Sequence, residues 1–388
     1  MKIPVEFESI RPFSDEEIPQ VITNIINDKD FRKAVKTGIK WRPFWAIRLA
    51  VNRFKSCHEI QTKLCNPYLK KLLDKYSDGL SFNFDALKNI EENCLYISNH
   101  RDIILDSAFL SLILMENNKR SVEIAIGDNL LIRPWIENFV RLNRSFIVKR
   151  SLPPLELLES SKTLSKYINF VINEKKNPIW MAQREGRAKD SNDRTQIGVL
   201  KMLAMSGDGD IIDRLINLNI VPLSISYEYD PCDYLKAQEF QEKRDNPDFI
   251  KTPEDDLLNM STGLLGYKGK IHYHATEPIN NALLKLDRNQ PRNRLLSQIA
   301  EIIDSNIFAG YKLYPNNYIA YNMLHSDDLQ QRACYTISDK EKFKEYLEKQ
   351  LMKVTIENPD WNFLRKKILE MYANPLVNRQ LIGIYGIK

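Results

Sequence analysis

The sequence predicts an α/β protein: a mixed, largely parallel sheet flanked by helices, with helical additions at both ends. Two observations carry that reading. Between Asn93 and Ala275, short β-prone apolar runs alternate with stretches of helical period, the pattern of strands joined by crossover helices. Glycine is scarce, 13 in 388 residues against a usual share of about 7%, as suits a helix-rich chain. At roughly 150 residues per domain, the length allows two to three units. The pattern divides the chain into an N-terminal helical, basic-aromatic segment (1–90), an α/β segment (91–280) and a C-terminal helical segment (281–388).

Ser14-Asp15-Glu16-Glu17 has the spacing of a capping box ahead of Ile18, Val21, Ile22, Ile25 and Ile26, so a first helix is placed there. From Phe31 to Lys70, ten Lys and Arg are opposed only by Glu59 and are interleaved with Trp41, Phe44, Trp45, Ile47, Leu49, Val51 and Phe54. Two readings fit this stretch. One is an amphipathic helix on an anionic lipid surface; the other is a helix packed on the α/β unit with a solvated basic face.

Strands are predicted at Cys94–Ile97, Val122–Ile126, Phe146–Val148, Ile179–Ala182, Ile220–Ser226 and Lys270–His274. Asp102 serves as the N-cap of a helix over Ile103–Met115, and helical stretches follow at Pro154–Glu174 and Thr195–Ser206. Ala237–Asp255 is polar, contains Pro247 and Pro253, and reads as a surface excursion. From Asn281 the helical signals are broken at Pro315, Pro359 and Pro375.

A net charge of +5, from 56 Lys and Arg against 51 Asp and Glu, lacks the excess of a dedicated nucleic-acid binder, and no such module accompanies the basic segment. Five cysteines, odd in number and without a CxxC pair, argue for reduced thiols and a cytoplasmic setting. Met1–Arg11 carries Glu6 and Glu8 and has no secretory pattern, and no apolar run reaches the roughly 18–20 residues needed to cross a bilayer. A cytoplasmic protein lying on the inner membrane face is the expectation.

Four segments at predicted strand ends carry candidate chemistry. The first is His100-Arg101-Asp102-Ile103-Ile104-Leu105-Asp106, where a carboxylate on one ring nitrogen would fix the tautomer and let the other nitrogen take a proton. The second is the basic end of Phe146-Ile147-Val148-Lys149-Arg150, suited to a phosphate. The third is Gln183-Arg184-Glu185-Gly186-Arg187-Ala188-Lys189, a glycine turn among charges near an anionic ligand. The fourth is Val221-Pro222, whose missing donor suits an edge or strand-entry position. His272 and His274 share a strand face and could chelate a metal, though no third ligand lies near in sequence.

In this order and at these separations, the four segments resemble the motifs of the glycerophosphate and lysophospholipid acyltransferase family over about Asn93–Pro278. Those motifs are a His-x4-Asp element, a basic strand end, a Phe-Pro-Glu-Gly-Thr-Arg-like turn and a Val-Pro strand. Thr195-Gln196-Ile197-Gly198 is similar to a helix start of the glycerol-phosphate members. The chain departs twice: one extra residue separates His100 from Asp106, and Arg187 follows Gly186 directly.

The resemblance implies acyl transfer from an acyl-CoA or acyl-carrier-protein thioester to the hydroxyl of a phosphorylated or lysolipid acceptor, with no cofactor. His100 would be the general base and Asp106, or failing it Asp102, its orienting partner. Arg150 and Arg187 would face the acceptor phosphate, with Glu185 and Gly186 in the substrate site. Arg101, Asp102, Lys149, Lys189 and Pro222 complete the expected substrate-contacting set. The other reading is a catalytically silent lipid- or phosphate-binding protein, which would follow if His100 had no acid within reach.

Overall fold

The computed structural model describes residues 3–38, 48, 51, 53–87, 93–150, 152–325 and 334–384. Among them one mixed sheet gathers β1 (Leu80–Asn83), β2 (Leu95–Ser98), β3 (Glu123–Gly127), β4 (Ser145–Val148), β5 (Ile179–Ala182), β6 (Ile220–Tyr227) and β7 (Ile271–Ala275). Their order is β1-β7-β6-β2-β5-β3-β4, with every pair parallel except β6 and β7. The central strands β2 and β5 are apolar on both faces, as a covered parallel sheet requires.

Helices supply the crossovers. α1 (Ile18–Asn27), α2 (Lys29–Gly38) and α3 (Asn66–Tyr76) come first, and α4 (Leu105–Glu116) follows β2. α5 (Pro134–Leu142) joins β3 to β4, and α6 (Pro154–Asn173) returns the chain to β5. α7 (Ile197–Leu203) precedes β6, and α8 (Asp233–Asp245) and α9 (Pro253–Leu265) fill the β6–β7 connection. α10 (Arg292–Ala309), α11 (Pro315–His325), α12 (Ile337–Leu351) and α13 (Trp361–Ile384) complete the described chain.

Strand alternation sorts the side chains onto two faces. Leu95, Ile97, Ile179, Met181 and Ile220 pack with α6, α7 and α10. Tyr96, Trp180, Val221, Leu223 and Ile225 pack with α3 and α4. A further cluster, including Ile319, Phe343, Leu347, Leu364, Ile368 and Tyr372, joins α11, α12 and α13 to Ala237 of α8. At the other end of the chain, Phe7 and Ile10 enter the core of the α6 face. The Ile10 carbonyl accepts from Ile147 N–H at 2.9 Å, against the edge strand β4.

Several expectations change. A strand at Leu80–Asn83, with Ser81 and Phe82 both exposed and no apolar run to signal it, extends the sheet into the segment assigned to 1–90. α10, beyond residue 280, packs on the sheet, whose last strand ends at Ala275. The polar stretch expected as a surface excursion begins within α8, whose buried face carries Lys236, Glu239 and Gln241 rather than an apolar stripe, and ends in the first residues of α9. α13 runs through Pro375. Its packing through Tyr372, Ala373 and Leu376 outweighs the roughly 3 kcal/mol that an interior proline costs.

The capping box forms only in half: Ser14 N–H bonds Glu17 Oε2 at 2.6 Å, while Glu17 also takes Arg11. In the basic segment, Phe31 and Phe54 pack against the α1 cluster. Lys63 pairs with Glu59 at 2.7 Å and Lys70 with Glu116 at 2.6 Å. Trp41, Phe44, Trp45, Ile47 and Leu49 lie outside the described residues. No helix among the described residues is long and apolar enough to cross a membrane.

Candidate active site

His100 leaves β2 two residues past its end, where the chain is held by a side-chain imitation of a strand ladder. Asn99 Nδ2 donates to Ile225 O at 2.9 Å and Asn99 Oδ1 accepts from Ile225 N–H at 2.8 Å. The following turn lets α4 begin at Leu105. Asp102 Oδ1 accepts from the amides of Ile104 (2.9 Å) and Leu105 (2.8 Å), which holds the turn before the helix; the helix itself begins at Leu105 with Ile104 at the N-cap position, two residues later than expected.

The turn absorbs the extra residue between His100 and Asp106. Asp106, fully buried in the first turn of α4, brings Oδ2 to 2.8 Å from His100 Nδ1. The same oxygen accepts from Arg101 N–H (2.7 Å) and Asp102 N–H (3.1 Å). Two backbone N–H donors and the positive end of a helix suit this oxygen to accept from the imidazole. Nδ1 therefore carries the proton toward Asp106, and Nε2 keeps its lone pair. Trp180 meets the imidazole edge-on at 5.6 Å and is itself held by Nε1–H to Ser98 Oγ at 3.0 Å.

His100 lines a cleft of about 1730 Å³ that opens along the carboxyl ends of the parallel strands, the usual ligand position in such sheets. Ile104, Trp135, Phe139, Leu164, Met202 and Leu264 contribute to its apolar walls. Lys149, Arg150, Arg184, Glu185, Gly186, Arg187 and Lys189 line it as well.

These cations differ in how far the protein already satisfies them. Arg150 lies across Gly127 of β3: a Cβ there would sit 2.7 Å from the guanidinium carbon. Its Nη1 stands 3.6 Å from Glu185 Oε1. Lys149 has no hydrogen bond or ion pair among the described residues. Arg187 donates from Nη2 to Asn259 Oδ1 at 2.8 Å. Lys189 pairs with Glu239, which also takes Lys243 at 2.9 Å; burial pushes the Lys189 amine down to about 8. Gly186 adopts φ +67°, the left-handed turn for which the sequence supplies a glycine.

Three expected contact residues are placed elsewhere. Arg101 turns away from the cleft into a buried ion pair with Asp193 at 2.7 Å, and Asp193 also accepts from Tyr311 OH. Asp102 is sealed beneath α9, where a Cβ on Gly263 would come 2.1 Å from Oδ2. Its carboxyl is held above the usual range by burial and by the charge of Asp106. Pro222 is buried on the face opposite His100, in the sheet interior rather than at an edge. Its carbonyl accepts from Thr276 N–H at 3.1 Å, so its missing donor faces the point where β7 ends. His272 and His274 lie on that same far face, with His272 Nδ1 2.9 Å from Ser81 Oγ. No group of three potential ligands able to hold a metal occurs among the described residues.

Sequence reasoning missed Arg184. It lines the cleft, its Nε is buried without a partner, and it makes no hydrogen bond or ion pair among the described residues. The signal was its place in the quoted turn directly before Glu185.

A buried His–carboxylate pair over a cationic and apolar cleft at the carboxyl edge of a parallel sheet defines an α/β protein equipped for proton abstraction beside an anion. Residues 81–226 match the family model described as Acyltransferase. Among solved structures, the 1-acyl-sn-glycerophosphate (LPA) acyltransferase PlsC from Thermotoga maritima is similar over 74% of this chain and 92% of that one, at 9% identity and a TM-score of 0.35. A search of curated protein sequences finds no match.

Proposed function

We propose that this protein is an O-acyltransferase. It moves a fatty acyl group from an acyl-CoA or acyl-carrier-protein thioester to the hydroxyl of a glycerol-phosphate or lysophospholipid-type acceptor. The observation that carries the reading is the 2.8 Å bond between His100 Nδ1 and Asp106 Oδ2 at the lip of the cleft. An alcohol is far too weak an acid to ionise at neutral pH, so attack on a thioester needs a base; general-base catalysis by a positioned group contributes about 100- to 10,000-fold. Nε2 of His100 is that base, and no covalent enzyme intermediate is needed.

Lys149 and Arg150, the former without an anionic partner among the described residues, hold the acceptor phosphate, with Arg187 in the wall beside them. The apolar walls take the acyl chains. Leu155 and Ile250, 81% and 83% exposed, stand next to the lining residues Leu157 and Lys251, which favours a lipid surface at the mouth. The silent binding-protein reading calls for a histidine without an acid partner, which the Asp106 bond disfavours.

The test is an acceptor screen with one labelled long-chain acyl thioester and the purified chain. Acylation of a phosphorylated or lysolipid acceptor is expected. Binding of such acceptors without turnover on any of them would leave the silent reading.

A further inference from the structure

Arg184 is the unusual cation of the cleft: part-buried, with a buried Nε that has no hydrogen-bond partner in the protein. A buried guanidinium Nε–H without an acceptor is unfavourable, so its position asks for an anion that arrives during the reaction.

Three observations say which anion. First, β2 and β5 are neighbours in register, Ser98 beside Ala182, and Gln183 N–H still donates to Ser98 O at 2.8 Å. Arg184 thus leaves β5 at the level where His100 leaves β2, on strands about 4.8 Å apart. Second, alternation puts Trp180, Ala182 and Arg184 on the same face as Tyr96, Ser98 and His100, in agreement with the Trp180–His100 ring contact. Third, the other unpaired cation, Lys149, leaves β4, which is three strands from β2, roughly 14 Å at that spacing.

We propose that Arg184 is a catalytic residue that binds the oxyanion of the tetrahedral intermediate, an assignment that rests on the acyltransferase reading above. In the step, the acceptor oxygen bonds to the thioester carbonyl carbon and its proton passes to His100 Nε2. The carbonyl π pair moves onto oxygen, and that negative oxygen is met by Arg184. Collapse re-forms the carbonyl and breaks the C–S bond, and the proton on His100 passes to the leaving sulfur.

The test compares the full-length chain with Arg184→Ala and Arg184→Lys, using one acyl thioester and a pair of acceptors with and without phosphate. Loss of an oxyanion donor lowers kcat about 100- to 1,000-fold. Arg184→Ala is expected to show that loss equally with both acceptors and with KM little changed. Arg184→Lys should recover part of the rate, and added guanidinium ion should restore part of the Arg184→Ala activity. Thermal melting of both variants within a few degrees of the parent separates these effects from misfolding. A rise in KM confined to the phosphorylated acceptor would make Arg184 a phosphate ligand and overturn the assignment. Unchanged kcat in Arg184→Ala overturns it alone, whereas absence of turnover by the parent chain overturns the proposed function and this assignment together.

Discussion

Two sets of arginines lie within a few residues of one another at the carboxyl edge of the sheet, and the fold treats them in opposite ways. Arg101 meets Asp193, and Arg187 meets Asn259 near Asp230; behind them Lys236 pairs with Asp230. Asp233 accepts from Tyr346 OH (2.8 Å) and Tyr372 OH (2.9 Å) of the C-terminal helices. On the other side of His100, Lys149 and Arg184 are left without partners among the described residues, and Arg150 has a long hydrogen bond to Asn129 Oδ1 (3.4 Å) and a loose contact with Glu185 (3.6 Å). A cation adjacent to a catalytic motif is therefore not by that fact a ligand contact. What decides is whether the protein has already supplied its anion.

The comparison can be broken at several points. The largest effect is expected from His100→Ala, which removes the base: acyl transfer should fall about 100- to 10,000-fold with thermal melting unchanged. Retained turnover takes His100 out of the mechanism. On the paired side, Arg101→Ala leaves Asp193 charged and buried, and should lower unfolding stability by about 3–5 kcal/mol in denaturant titration. A variant as stable as the parent would show that the pair is not structural.

On the unpaired side, Lys149→Ala and Arg150→Ala should each raise KM about 10- to 100-fold for a phosphorylated acceptor, since a hydrogen bond to a charged group is worth about 1.5–3 kcal/mol. Neither should move the melting temperature much. An equal change with a phosphate-free acceptor would reject the phosphate assignment.

The carboxyl of Asp233 sharpens the paired side further. Burial, with the nearby charge of Asp230, pushes it up to about 7. The folded protein then binds a proton that the unfolded chain, titrating near 4, has already lost. This contribution to stability is fully present below about pH 4 and disappears as pH rises through about 7. Melting profiles over that range should slope downward more steeply for the parent than for Asp233→Asn, and parallel profiles would dismiss the effect. The smallest change is expected at the exposed Arg48, Arg53 and Lys55. Replacing them by Gln should weaken sedimentation with anionic liposomes by about 1 kcal/mol per charge at low salt. Unaltered binding would assign lipid contact to another surface.

Much of this was legible in the residues. Six of the seven strands were legible as short runs: β2, β5 and β6 are buried on both faces and carry continuous apolar stretches, while β7 alternates His272 and His274 with buried Ile271, Tyr273 and Ala275. β1 was not, since Ser81 and Phe82 are exposed on an edge. His100 and Asp106 could be paired from spacing and resemblance, but the choice between Asp102 and Asp106 could not: it depends on how a five-residue turn enters a helix. Arg101, Asp102 and Pro222 were misplaced because partners such as Asp193, Gly263 and Thr276 are far off in sequence. Arg184 stood in the Gln183–Lys189 turn, but its distinction, the absence of a partner, is likewise set by residues far off in sequence.

The main-chain bond from Ile147 to Ile10 has a practical side. β4 is the last strand of the sheet, and the amino-terminal segment, pinned by Phe7 and Ile10, supplies a backbone cover beside it. Stripped of that cover, β4 would present a free hydrogen-bonding rim to any other chain in solution. A shortened version beginning after residue 11 should therefore clump rather than simply work less well, and a fusion partner attached to this protein is better carried by the opposite terminus.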